Sequence, residues 1–488
     1  MEIPSVYQGI LEMLTFFLSL LFTGGSLAAT NVDSFYPPLN HTTYITNASL
    51  GTYGGVFNAP SDKASAPPTE LTYNYCSMPH PHVNTYELPS PVKERKVKAK
   101  IVYLEYLQRH QRRTPYNILP GGENQEYNCE DLYQHQYAAP ATTSPGHGRG
   151  PKGAPAPLEV YGKAYTDPTN PFLTNYVNGS CQYPQLTIGG YLDGYQHGRD
   201  LHAVYSKQLG LIPKNLGKKD LNRVWFRSTT SQLTQGSAGG VLRGLWPEYE
   251  GALPLHQQAS AVDTVNRGFP CAARNTILAA VQSGPEWEEH LAVTASLRDT
   301  LAEMFDAQDS SDWLNTWDHF ADNFQARMCN GYELPCSLKD ESQCVNKDQA
   351  YEAFRAGDWM YNWWWRRNQN ATEYITVIEG MFIKELVAKF EAVARGESEI
   401  VYSHNFLHDG DIAPMLGALG INALRWPGMA SNIAIEIWET SKKQFYARVL
   451  YSGRAIETIH GTLDWIPLSK LIDILSVYIP EDIFALCG

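Results

Sequence analysis

Within a few residues the chain passes from KVKAKIVYLEYLQ (Lys96 to Gln108), rich in β-branched and aromatic residues, to RHQRRTP, which sets Arg109, His110, Arg112 and Arg113 ahead of Pro115. The first stretch reads as a buried strand, because such side chains suit a pleated surface packed on both faces. Four ionisable groups cannot carry that strand further into a core, so they mark its end. This junction constrains the fold strongly: a buried strand that delivers charge at its carboxyl end fits an α/β sheet, where sites form outside the carboxyl ends of strands. The positive charge is local. Over its 488 residues the chain has a formal net charge of −13, which speaks against nucleic acid as a partner.

The pattern of strand, polar turn and helix recurs. LTIGGYLDGYQHGRDLHAVYSKQL has helical spacing from Gly190 to Leu209, NRVWFRSTTSQ reads as a second strand, and SAGGVLRGL as a helix. EIVYSHNFLHDGDIAPMLGALG adds a third strand, a turn at His408–Asp409 and a small-residue helix, and NIAIEIWET and QFYARVLYSG close as strands. These elements predict an α/β fold: a mixed, mostly parallel sheet flanked by helices, with a helical cap. The expected division is an α/β core over 98–250 and 398–488, a cap over 251–397, and an irregular N-terminal extension over 29–97 that Cys76 pins to the rest. Residues 117–180, with PGHGRGPKGAPAP, read as a long surface insertion. An apolar fraction of 43% and 12 tryptophans suffice for a sizeable core.

LTFFLSLLFTGGSLAA, Leu14 to Ala29, holds an apolar run too short for a bilayer and ends in small residues, Ser26 and Ala28 standing as at an A-x-A-like cleavage site. Residues 1–28 are therefore read as a secretory signal peptide, and membrane contact is expected only if that segment is retained. Eight cysteines without a C-x-x-C pair suit disulfides better than zinc. Three or four bridges are expected, one of them local, from Cys329 to Cys336 or Cys344. Sequons at Asn40, Asn47, Asn178 and Asn370 agree with a secreted glycoprotein.

Two of the three strands end in ionisable clusters, one at Arg109–Arg113 and the other at His408–Asp409. Arginine forks suit phosphoryl oxygens, and a dianion needs several. A histidine among them can attack phosphorus, and an Asp beside the dianion can protonate the leaving oxygen. No metal or other cofactor is called for. The bland readings are equally concrete. Asp409 could simply cap the helix that follows; His404 is read as structural. DWMYNWWWRRN, Asp358 to Asn368, is read as a cap helix burying its tryptophans. Glu436 is read as an outward strand residue or a structural hydrogen-bond partner.

RHQRRTP resembles the R-H-G-x-R-x-P signature of the histidine acid phosphatases (histidine phosphatase superfamily, branch 2), and HDGDIAPMLGALG resembles the family's second signature. LTIGGYLDGYQHGRDLHAVY, ASNIAIEIWE and ARVLYSG are similar to the intervening and closing elements, in family order from about 98 to 460. The N-terminal extension and CAARN resemble the 2-phosphoxylose-phosphatase-like and fungal members. The resemblance implies a phosphomonoesterase with His110 as nucleophile, Asp409 as proton donor, and Arg109, Arg113 and His408 as phosphate ligands. Two departures stand out. Gln111 replaces the glycine after the nucleophile. In VWFRSTTSQLTQGSA, which resembles R-S-T-x-x-x-R-T-x-x-S-A, Leu233 replaces a phosphate-binding arginine. Losing one such charge-assisted contact costs about 1.5–3 kcal/mol, and Arg112 or Arg227 is expected to compensate. The alternative is a decayed or re-purposed member that binds a small anion, or works as an acid–base enzyme on a non-phosphate metabolite.

Overall fold

A computed structural model describes residues 32–36, 73–135, 158–165, 167, 169–170 and 179–488. The expected signal peptide, most of the extension before residue 73, the sequons at Asn40, Asn47 and Asn178, and residues 136–157 and 171–178 of the long insertion lie outside the described residues.

Seven strands make the central sheet: β1 (Ala99–Arg109), β2 (Val224–Ser228), β3 (Tyr402–Leu407), β4 (Asn432–Thr440), β5 (Phe445–Tyr451), β6 (Arg454–Ala455) and β7 (Ile466–Pro467). Their spatial order is β7-β5-β4-β1-β3-β2, with β6 paired to β5. The sheet is mixed. β1, β3 and β2 run parallel, with Arg109 opposite Leu407 and Ser228 opposite Phe406, whereas β4 and β5 close the sheet antiparallel beside β1. β1 is central and buried at every position from Tyr103 on, which explains its nearly unbroken apolar sequence. Its buried Glu105 is satisfied by the Ser403 hydroxyl at 2.8 Å and Lys389 at 3.2 Å.

Two helices cover one face. α1 (Ile188–Leu201) runs on into a π-helical turn over His202–Gln208, and α2 (Gln232–Leu245) crosses it. Glycines let the two backbones nearly touch: a Cβ on Gly198 would stand 2.0 Å from the Val241 carbonyl oxygen, and one on Gly244 equally close to that of Tyr195. The sequence between β2 and β3 is largely helical. It includes α3 (Asp318–Cys329), α4 (Lys347–Asn362) and α5 (Ala371–Arg395), and α6 (Asp409–Ala418) follows β3 directly. Trp363, Trp364 and Trp365, in the π-helical turn after α4, are buried in the larger core cluster with Trp317 and Trp359.

Four disulfides join Cys76–Cys329, Cys129–Cys181, Cys271–Cys487 and Cys336–Cys344. The expected local bridge from Cys329 is therefore corrected. Cys329 closes α3 facing the core, where Cys76 lies buried, while Cys336 and Cys344 face each other across an antiparallel bridge of their own. Cys76 thus pins the extension to the helical region. Among the described residues no helix is long and apolar enough to cross a membrane.

Candidate active site

The parallel strands stop in register, and that edge gathers the polar residues. As β1 leaves the sheet, the Arg109 N–H donates to the Ser431 carbonyl (2.9 Å) and the His110 N–H to the Leu407 carbonyl (3.0 Å). β3 ends at Leu407 and β2 at Ser228, so His408, Asp409 and Thr229 emerge on the same edge. Thr229 Oγ1 lies 3.1 Å from His408 Nε2, and the His110 and His408 rings meet edge-on with centroids 5.4 Å apart.

The backbone sets the tautomer of His110. Its Nδ1 is 2.9 Å from the Gln111 carbonyl oxygen. A carbonyl only accepts, so Nδ1 carries the proton and Nε2 keeps the lone pair. Burial, then the charges of Arg109, Arg113 and His408, hold the imidazole well below the usual histidine range, so the lone pair survives in acid.

Arg109 is fully buried, donates to the Pro427 carbonyl at 2.5 Å and faces Asp409, Nη2 to Oδ2 at 3.1 Å. Arg113 forks onto Asp322, with Nη2 to Oδ1 at 2.7 Å and Nη1 to Oδ2 at 3.1 Å. Asp322 also accepts the Tyr116 N–H at 3.0 Å, so one α3 carboxylate aims the arginine and anchors the loop that carries it.

Asp409 stands in the first turn of α6, but it is not the cap. His408 is the N-cap, and Asp411 accepts its N–H at 2.9 Å. That leaves Asp409 facing the cleft, its side chain 21% exposed. Its Oδ2 accepts from Trp426 Nε1 (2.6 Å) and the Tyr361 hydroxyl (3.2 Å). Burial alone would raise this carboxyl; Arg109, the Trp426 N–H, His110 and Arg113 overcome it and hold it far below the usual range. Without a ligand Asp409 is an anion. For His408, burial lowers the pKa against the pull of Asp411 and Asp409.

Gln111 does not turn its side chain on the cleft edge. A Cβ on Gly194 of α1 would meet its Cγ at 3.3 Å, so the amide lies in a groove that the glycine leaves open. Arg112 donates to Asp193 (2.6 Å) and the Cys329 carbonyl (2.8 Å), packed on Gly189 and Gly190. The LTIGG glycines thus seat the loop. Arg227 is held by Asp263 (2.6 Å), Glu385 (2.7 Å) and Thr264 (2.9 Å). The structure places both expected compensating arginines in ion pairs of their own, not beside His110.

Sequence reasoning missed Asp322, Tyr361, Trp426 and Thr229; their partners lie far off in the chain and no spacing announces them. Asp411 completes a capping box with His408, a pair outside the usual Ser/Thr–Glu/Gln signature, so it too was hidden in the sequence. His404 is structural as read, bonded to Tyr402 (2.6 Å) and Gln108 (2.9 Å). Glu436 points inward, and accepts from Tyr205 (2.8 Å), Tyr86 (2.9 Å) and Trp438 (3.0 Å), which makes it a structural acceptor.

A family model described as the histidine phosphatase superfamily (branch 2) matches residues 100–452. Counting factor 60 of Dictyostelium discoideum is 24% identical over 59% of this chain and 67% of its own. 2-Phosphoxylose phosphatase 1 of Homo sapiens is 21% identical over 81% and 78%. Lysophosphatidic acid phosphatase type 6 of Mus musculus is 22% identical over 82% and 92%. In structure, Hafnia alvei phytase in complex with tartrate overlays with a TM-score of 0.51 at 13% identity, covering 79% of this chain and 98% of that one.

Proposed function

The chain belongs to branch 2 of the histidine phosphatase superfamily, and on that premise we propose that it hydrolyses small phosphomonoesters through a phosphohistidine on His110. The observation that carries this reading is the free Nε2 lone pair of His110, set by the Gln111 carbonyl, beside Arg109, Arg113 and His408. Nε2 attacks phosphorus as the P–O ester bond breaks, and protonated Asp409 gives its proton to the departing oxygen. Water then attacks the phosphohistidine; Asp409, now a carboxylate, takes a proton from it, and phosphate leaves with His110 restored. Arg109 and Arg113 bind the non-bridging oxygens, and His408 assists with its ring N–H.

The relatives named 2-phosphoxylose phosphatase 1 and lysophosphatidic acid phosphatase type 6 support small phosphorylated molecules as the substrate class. Four disulfides fit an oxidising compartment, and we assign the protein to the secretory pathway. The test is phosphate release from a panel of phosphomonoesters at acid and neutral pH, wild type beside His110→Ala. Turnover that vanishes in the variant supports the reading. Phosphate binding without turnover in the wild type would instead support the decayed member that Leu233 suggests.

A further inference from the structure

Leu233 leaves the phosphoryl site one guanidinium short of the family pattern. Arg112 and Arg227 are committed to Asp193, and to Asp263 and Glu385. Both arginines beside His110 already face carboxylates, Arg109 that of Asp409 and Arg113 that of Asp322.

Arg267 differs from all four. Its guanidinium makes no hydrogen bond or ion pair with any described residue, and the residue is exposed. It lies over the first turn of α6: Nη2 would stand 3.1 Å from a Cβ on Gly410, the neighbour of Asp409. The charged and phenolic groups acting on it are Tyr374, Tyr361, Asp411 and Asp409, of which Tyr361 and Asp409 line the cleft. The amino end of a helix is its positive end. Asp411 and Asp409 favour the charged form of Arg267 against that end, yet no carboxylate of the described residues forms an ion pair with its guanidinium, which leaves its donors open to an arriving anion.

The loop carrying Arg267 is bolted on every side. Arg227 holds Asp263 and Thr264, Asp411 accepts the Asn266 N–H at 2.6 Å, and Arg274 donates to the Arg267 carbonyl at 2.8 Å. Asn266 and Arg267 are both left-handed, with φ of 54° and 57°. Asn takes that conformation readily, but for an arginine it is uncommon, and such residues cluster at ligand sites. Asp411 thus ties the helix that carries Asp409 to the loop that carries Arg267.

We propose that Arg267 supplies the third phosphate-binding guanidinium, reaching the non-bridging oxygens of the bound ester across Gly410 in place of the arginine that Leu233 replaces. This rests on the phosphoryl-site reading above. Arg227 does compensate, but indirectly, as a positioning residue for this loop.

Inorganic phosphate binding, measured by calorimetry and needing no turnover, tests the assignment on wild type, Arg267→Ala, Arg267→Gln, Arg267→Lys and Arg113→Ala. Arg267→Ala should weaken phosphate about ten- to a hundredfold; Arg267→Lys should recover part of that. Arg267→Gln keeps much of the side chain without the charge and should lose nearly as much as Arg267→Ala; should Arg267→Ala fail to fold, Arg267→Gln and Arg267→Lys decide. Arg267→Ala or Arg267→Gln binding within about twofold of wild type, while Arg113→Ala loses phosphate, overturns the assignment. A wild type that binds phosphate but releases none from esters overturns hydrolysis alone, and one that binds no phosphate overturns both.

Discussion

Asp409 can act as an acid only if it gains a proton that the empty site denies it. In the free protein Arg109 and the Trp426 N–H hold it ionised. A bound phosphoryl group changes the balance. One unit of negative charge about 4 Å from the carboxylate repels it by about 4 kcal/mol at an effective dielectric of about 20. At 1.36 kcal/mol per pKa unit that raises the carboxyl by about 3 units, and the second charge of a dianion raises it further. Asp409 then returns to or above the ordinary carboxylate range and holds a proton near neutrality. Phosphate binding near neutrality should therefore take up protons onto Asp409, with the uptake fading as pH rises, read by calorimetry in buffers of different ionisation enthalpy. Asp409→Asn should take up close to none and bind phosphate more tightly, because the repulsion is gone. Its kcat should fall about 10²- to 10⁴-fold on an alkyl phosphate and much less on a nitrophenyl ester, whose leaving group needs no proton. On the alkaline side wild-type activity should decline as Asp409 loses that proton. Phosphate binding to wild type without proton uptake, with an unimpaired Asp409→Asn on alkyl esters, would refute the reasoning.

Three further outcomes follow from the packing. Asp322→Ala strands the buried Arg113 and should destabilise the protein by about 3–5 kcal/mol, seen in urea denaturation with disulfides intact, and weaken phosphate binding; no change in either would remove Asp322 as its positioner. Glu379 is buried with neither carboxyl oxygen hydrogen-bonded to a described residue, and burial, then Asp411, pushes its pKa far up. Its folded pKa exceeds the unfolded value, so its contribution is present below about pH 4 and is lost as pH rises. Glu379→Gln should therefore gain on wild type between pH 4 and 8 in thermal midpoint, and a constant difference across that window would contradict it. Leu233 is buried at the start of α2. With Arg267 already binding phosphate, Leu233→Arg should raise kcat/KM less than about tenfold; a far larger gain would show that the site lacks its third arginine.

Strand ends were legible in the sequence because β1 and β3 are buried on both faces and so read as apolar runs broken by charge. His110, Arg109, Arg113, His408 and Asp409 sit within a few residues of those breaks, and parallel register brings them together. What stayed hidden acts across the chain. Asp322 lies 209 residues from Arg113, on a helix whose face gives no sign of it. Tyr361 and Trp426 stack with rings 5.0 Å apart beside Asp409, a pairing that no local period encodes. Gln111 looked obstructive because its escape route is a glycine on another helix. Arg227 was expected as a compensating ligand, and only the fold shows that Asp263 and Glu385 claim its guanidinium.

The covalent step is the most direct point of attack. A radiolabelled phosphomonoester mixed with wild type and quenched within one turnover should leave acid-labile, base-stable label on His110, located by mass spectrometry, and more of it in Asp409→Asn with a nitrophenyl ester, because Asp409 no longer activates the attacking water. Label on another residue, or full turnover in His110→Ala without label, would contradict a phosphohistidine at His110.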